Sequence, residues 1–263
     1  MDLELQGRVA LVTGGGRGIG RAVCLALAAN GADVALCGRT LETLEATARD
    51  VRAYGVRAFP IVADVSELAN IQRFIAEAAE AAGRVDILVG NAVSSQSAPF
   101  NEQTDDHWRH HIYVKLMAYI RGAREVLPHM QANGWGRIIH IGGMTARITA
   151  PLRVTNGVVN AGVSNFTKQF SHHAAPHNVT VNCVHPGTTV TERMMNMFNR
   201  RAKDDGVGVE DIEAETIANI PMARLILPED IANAVLFFCS PMASVITGQS
   251  IAVDGGSAQA VMY

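Results

Sequence analysis

Short runs rich in β-branched residues alternate along this chain with longer stretches whose apolar positions recur every three or four residues. The runs at 8–13 (RVALVT), 33–37, 57–62, 86–90, 137–141, 179–184 and 250–253 read as strands. The stretches 18–30, 41–53, 67–82, 104–130, 155–175 and 228–239 read as helices. In the second of these, Leu41, Leu44, Ala48 and Val51 fall on one face. Strand–helix alternation of this kind predicts an α/β fold: a doubly wound parallel sheet of seven strands with helices on both faces. No linker, charge run or internal repeat divides residues 1–263, so the pattern predicts a single domain. One span breaks the rhythm. Residues 188–227 are mixed and Met-rich, too long for a plain connection, and predict an irregular lid or insertion.

Composition narrows the function classes. Of 263 residues, 48% are hydrophobic and 18% charged, an ordinary balance for a globular domain that buries a core. The formal charge is -3 with no basic block, which argues against nucleic acid as a partner. No apolar stretch reaches the length of a membrane span, and the first residues show no basic, then apolar, leader pattern. Cys24, Cys37, Cys183 and Cys239 are far apart, which predicts neither zinc nor disulfides. His172, His173 and His177 lack an acidic context, and no metal site is expected. A reduced, cytoplasmic protein is the expectation.

The first strand runs directly into Thr13-Gly14-Gly15-Gly16-Arg17-Gly18-Ile19-Gly20 and then a helix. Glycines there permit a tight turn and close approach of a pyrophosphate, and the helix N-terminus offers free N–H groups to it. The spacing is G-x-x-x-G-x-G rather than G-x-G-x-x-G. In dinucleotide folds an acid after the second strand holds the ribose 2′-hydroxyl. Here that strand ends Leu36-Cys37-Gly38-Arg39-Thr40, with a guanidinium and no acid. Arg39 and Arg17 together suit a 2′-phosphate, so NADP(H) is predicted over NAD(H).

These motifs, taken in order, resemble the short-chain dehydrogenase/reductase family with its Rossmann-type fold. TGGGRGIG resembles that family's TGxxxGIG loop. Asp64-Val65 resembles its adenine-contacting pair, and Gly90-Asn91-Ala92-Val93 its NNAG segment. Val181 to Gly187 resembles N-x-v-x-PG, which implies cofactor contacts at Pro186, Gly187, Thr189 and Thr191. Pro228-Glu229-Asp230-Ile231-Ala232 and the segment from Gly248 to Gly256 resemble its C-terminal signature. The resemblance implies hydride transfer between a nicotinamide and a carbonyl or alcohol carbon. It also implies a Tyr proton donor, a Lys four residues later that lowers the Tyr pKa and holds the ribose, a Ser, and an Asn.

The sequence holds no Tyr four residues before any Lys. Its lysines are Lys115, Lys168 and Lys203, preceded at that spacing by His111, Ser164 and Asn199. Alignment of Asn160-Ala161-Gly162 with the family's KAG puts Asn160 at the Lys position, where it would also face the cofactor, and Asn156 at the Tyr position. Ile139-His140-Ile141-Gly142-Gly143 puts Gly143 at the Ser. Trp108 anchors the long helix, and Val114-Lys115-Leu116 puts Lys115 at the Asn. A carboxamide gives up no proton near neutrality. Substitutes for the missing acid are Lys115, with His111 and then His107 each four residues back, and Thr145 for the Ser. The alternative is that His111 fills an apolar slot while Lys115 reaches water or bonds Asn160. Arg147 and Arg153 at the pocket mouth suit an acidic substrate, or are solvated. Met194, Met195, Met197 and Phe198 suit a hydrophobic ligand, or pack the lid.

Three functions follow: an NADP(H)-dependent oxidoreductase with relocated acid–base groups, a cofactor-binding subunit without turnover beside an active paralogue, or a non-redox lyase or isomerase. The family resemblance implies a homotetramer, with the apolar tail 259–263 at a subunit contact.

Overall fold

A computed structural model describes residues 2–259. Its one sheet is parallel throughout, in the order β3-β2-β1-β4-β5-β6-β7. The strands are β1 (Val9–Thr13), β2 (Asp33–Gly38), β3 (Ala58–Val62), β4 (Ile87–Gly90), β5 (Gly136–Ile141), β6 (Val179–Pro186) and β7 (Ser250–Val253). The helices are α1 (Gly18–Ala29), α2 (Leu41–Arg52), α3 (Leu68–Ala82), α4 (Asp105–His111), α5 (Ala118–Asn133), α6 (Val154–Ala174), α7 (Glu192–Asp205), α8 (Val209–Ala218) and α9 (Pro228–Cys239).

The strands are apolar on both faces because both faces are covered. Along β1, Ala10 and Val12 face a core shared with Val23 and Leu27 of α1, Leu44 of α2 and Val235 of α9. Val9 and Leu11 face the opposite core, with Phe74 of α3, Val126 of α5 and Val163 of α6. The strand order reverses between β1 and β4, both of which pair in parallel. Ligands in such folds bind in the crevice at that switch point, beyond the carboxyl ends of the strands. The Gly-rich loop, Asn91 and the 142–147 segment all leave the sheet at that end.

Three expectations need correction. The span 188–227 is not irregular: it holds α7 and α8, which pack Met194, Phe198 and Ala202 against Ile212, Ile220 and Leu225 in a third, small core. Thr191 caps α7 by accepting from the Met194 N–H at 3.2 Å, and Gly206 closes it in the left-handed conformation. The predicted helix at 104–130 is helical but not uniformly α. Residues Ile112–Met117 form a π-helical turn between α4 and α5, a wider winding that often marks functional sites. Leu41 is 54% exposed, because it opens α2 one turn before that face meets the sheet. From residue 260 onward the apolar tail lies outside the described residues.

Candidate nucleotide-binding and active site

The loop after β1 is built for close approach. Gly14 has φ +68°, a conformation that favours glycine. A Cβ on Gly20 would stand 2.1 Å from the Gly14 carbonyl oxygen, so α1 packs directly onto the loop only without a side chain there. Asn91 holds the loop from the neighbouring strand: its Nδ2 donates to the Thr13 carbonyl at 2.9 Å and to that of Gly14 at 3.2 Å. Thr13 Oγ1 accepts from the Asn91 and Ala92 N–H groups at 2.9 and 3.1 Å. These two residues thus fix the shape of the loop.

At the carboxyl ends of β2 and β3, Arg39 is exposed beside Asp64. Partial burial raises the Asp64 pKa, but hydrogen bonds from Ser66 (2.9 and 2.8 Å) and the Arg39 charge outweigh it and hold the carboxyl below its ordinary value. Val65 next to it is buried. Arg17 pairs instead with Glu192 of α7 at 3.1 Å, both about two-thirds exposed. Such a surface pair is worth under about 1 kcal/mol, so Glu192 holds the guanidinium only weakly. On the far side, Gly187 donates to the Val253 carbonyl at 2.9 Å, and Thr189 Oγ1 donates to the Gly187 carbonyl at 3.0 Å. Thr191 lies against the loop: a Cβ on Gly18 would meet its Cγ2 at 3.2 Å.

The four aligned positions converge on β5 and α6. A Cβ on Gly143 would stand 2.6 Å from Asn160 Nδ2, which donates to Thr145 Oγ1 at 2.9 Å. One turn earlier, Asn156 Nδ2 donates to Ser95 Oγ at 3.0 Å. Both asparagines are buried, and the Oδ1 of each has no partner among the described residues. Lys115 neither reaches water nor bonds Asn160: it is buried, and its Nζ donates to the Gly142 carbonyl at 2.8 Å. His111, four residues back, is 1% exposed with both ring nitrogens unpartnered. His107 plays no part here. It closes a capping box at α4, accepting from the Thr104 N–H while its own N–H donates to Thr104 Oγ1.

Two further residues escaped the sequence reading. His185 Nδ1 accepts from the Gly143 N–H at 2.9 Å, and its Nε2 lies 3.1 Å from Ser164 Oγ, which donates to the Asn160 carbonyl at 3.1 Å. That fixes the tautomer with the proton on Nε2 and ties the end of β5 to α6 through β6. Arg193 in the first turn of α7 donates from Nη2 to Ser95 Oγ at 2.7 Å. Only contacts across the fold reveal these partnerships.

Electrostatics separates the buried groups. Burial, aided by the Lys115 charge, drives His111 down to about 3 and His185 to about 4. Tyr119, whose Oη lies 3.1 Å from the Ile141 carbonyl, is pushed well above 10 by burial. Burial, reinforced by the Arg193 charge, lowers Lys115 to about 7. Between that value and 10.5 the unfolded chain holds a proton that the native chain has released, so stability rises with pH across this window and is lowest below it. Lys115→Met removes the dependence. The stability gap between variant and wild type should shrink by about 2–3 kcal/mol from about pH 6 to about pH 9. Urea denaturation at the two pH values reads this directly, and a gap that stays constant rules out a buried, depressed amine.

Among the described residues no group of three or more His, Cys, Asp or Glu side chains is placed to hold a metal, and no helix is long and apolar enough to cross a membrane. All four cysteines are buried as free thiols.

Comparison with known proteins agrees with this architecture. The family model described as enoyl-(acyl carrier protein) reductase matches residues 14–258. The chain is 34% identical over 257 residues to the 3-oxoacyl-acyl-carrier-protein reductase FabG of Aquifex aeolicus (strain VF5), covering 97% of this chain and 99% of that protein. It is 31% identical over 256 residues to the NADPH-dependent reductase BacG of Bacillus subtilis (strain 168), with the same coverage. L-sorbose reductase from Gluconobacter frateurii, solved with NADPH and L-sorbose, superposes with a TM-score of 0.94 at 30% identity over 99% of this chain and 100% of the other. The chain therefore belongs to the short-chain dehydrogenase/reductase family of oxidoreductases, whose members use nicotinamide cofactors.

Proposed function

We propose that this protein is an NADP(H)-dependent oxidoreductase acting on a carbonyl or alcohol substrate, with Lys115 in place of the family's tyrosine as the proton-holding group. The observation that carries the cofactor reading is the guanidinium of Arg39 at the end of β2, the position from which an acid holds the ribose 2′-hydroxyl in other dinucleotide folds. The cradle fits a dinucleotide: Gly20, with no Cβ, lets the N-terminus of α1 close onto the loop, and the unpartnered Asn160 Oδ1 is a buried acceptor suited to a ribose hydroxyl. Bound NADP(H) would supply or take the hydride. Gly14, Gly16, Gly18 and Ile19 would present backbone to the pyrophosphate, with Asp64 and Val65 at the adenine and Thr189 and Thr191 at the nicotinamide. Arg39→Ala should weaken NADPH binding roughly 10–100-fold and leave NADH nearly unchanged, the loss of a charge-assisted contact worth about 1.5–3 kcal/mol. An equal loss for both nucleotides would remove Arg39 from the phosphate.

The proton is the harder part. Of the buried histidines, Tyr119 and Lys115 around the end of β5, His111 and His185 titrate well below neutrality and Tyr119 well above it, leaving Lys115 at about 7. A group poised near the working pH is what general acid–base chemistry needs. The test is NADPH oxidation at 340 nm across a carbonyl panel: substrate-dependent turnover that Lys115→Ala abolishes supports the reading. Tight NADPH binding with no turnover would instead favour a cofactor-binding subunit without catalysis. The carboxamides of Asn156 and Asn160, which donate no full proton, are consistent with that second reading. A reducing cytoplasmic setting suits the four free thiols, and a homotetramer is the expected assembly; a monomer by light scattering at micromolar concentration would overturn the latter.

A further inference from the structure

We propose that Arg193 and Arg153 form an anion subsite beside Asn156 that selects a substrate bearing a carboxylate, a small hydroxy acid or its oxo acid. This rests on the oxidoreductase reading for the chemistry, though not for the binding.

Arg193 and Asn156 converge on one atom. Ser95 Oγ accepts from Arg193 Nη2 at 2.7 Å and from Asn156 Nδ2 at 3.0 Å. The lid helix α7 thereby places a guanidinium one hydroxyl away from the residue aligned with the family's proton donor. Nη1 and Nε of Arg193 have no partner among the described residues, which leaves donors for a carboxylate. Arg153, just before α6, spends its Nη2 on the Met197 sulfur at 2.7 Å, a weak acceptor.

Counter-ions are missing where they would be expected. Eleven other arginines pair with acids among the described residues, including Arg17, Arg21 and Arg57, yet neither Arg193 nor Arg153 does. The two repel each other. Protein packed around the Arg193 guanidinium, and then the charge of Arg153, lower its pKa although the side chain keeps an open flank. The field of Arg193 also reaches Lys115 and His111. A like-charged pair held together without a carboxylate is an anion site in waiting. A second, independent feature points to the same ligand. Asn156, 9% exposed, carries an unpartnered Oδ1, an acceptor in need of a donor. A hydroxy acid supplies both halves: a carboxylate for the arginines and a hydroxyl proton for Asn156.

The experiment is calorimetric titration of the purified chain with 2-hydroxybutanoate, 3-hydroxybutanoate and neutral 2-butanol, without nucleotide and again with NADP+. At least one acid should bind at least about tenfold more tightly than 2-butanol. Arg193→Gln and Arg153→Gln should each bring that acid down toward the alcohol while leaving NADPH affinity unchanged. Equal binding of acid and alcohol, binding of neither acid, or variants that keep the acid's affinity would overturn the proposal. A chain that fails to bind NADPH yet discriminates the acid would sink the oxidoreductase reading and leave the anion subsite standing.

Discussion

Gly20→Ala should reduce NADPH affinity by more than about a hundredfold. The added methyl carbon would sit 2.1 Å from the Gly14 carbonyl oxygen and 2.6 Å from Asn91 Nδ2. The first neighbour is backbone, which no rotamer change can move. Relief requires α1 to withdraw from the loop or Gly14 to turn, and either one displaces the N–H groups that would face a pyrophosphate. Asn91 would lose its grip on the Thr13 and Gly14 carbonyls in the same movement. Nucleotide fluorescence measures the loss, and thermal unfolding of the same sample shows that the variant is folded. An affinity within threefold of wild type would mean that the loop is not the phosphate cradle. Gly7→Ala serves as the contrast: nothing lies within 4 Å of its would-be Cβ, and its left-handed φ of +74° makes the substitution cost stability while NADPH affinity stays unchanged.

Acidification from about pH 7 to about pH 5.5 should destabilise the native state by about 4 kcal/mol. His111, His140 and His185 are 0–1% exposed. Burial holds them near 3, 3 and 4 in the native chain, against 6.5 for a free imidazole. The sign follows from proton counts. Below 6.5 the unfolded chain binds three protons that the native chain refuses, so falling pH favours unfolding. The effect grows until pH reaches the native values near 3 to 4. Each imidazole contributes a little over 1 kcal/mol across that interval. His140 is held by Thr167 Oγ1 at 2.9 Å and stacked on Tyr119, and His185 has partners on both nitrogens. His111 has none. His111→Leu should therefore remove about a third of the acid sensitivity and raise stability at neutral pH by about 1–2 kcal/mol, since it ends an unsatisfied burial. Urea midpoints at the two pH values check both statements. A stability flat between them would show that the three rings are protonated in the fold.

The strands and the nucleotide loop were legible because their signals are local. Parallel strands buried on both faces read as unbroken apolar runs, and a Gly-rich strand-to-helix turn states its chemistry in eight residues. Asn156, Asn160, Gly143 and Lys115 could be placed by alignment with a family pattern, and the fold brings them together at the ends of β5 and α6. What the sequence hid is long-range or conformational. The bond from Lys115 to the Gly142 carbonyl spans 27 residues, and that between Arg193 and Ser95 spans 98. The π turn at Ile112–Met117 has no compositional mark. The helices of 188–227 did leave a trace, since Met194, Phe198 and Ala202 stand at i, i+4 and i+8, but the glycines and charges around them masked the period.

The central claim is a working NADP(H) site presided over by Arg39. Titration of the purified chain with NADPH and, separately, NADH, followed by nucleotide fluorescence, tests it most directly. Micromolar binding of NADPH with NADH at least about tenfold weaker is the expected result. Binding of neither nucleotide, or of both alike, would contradict it.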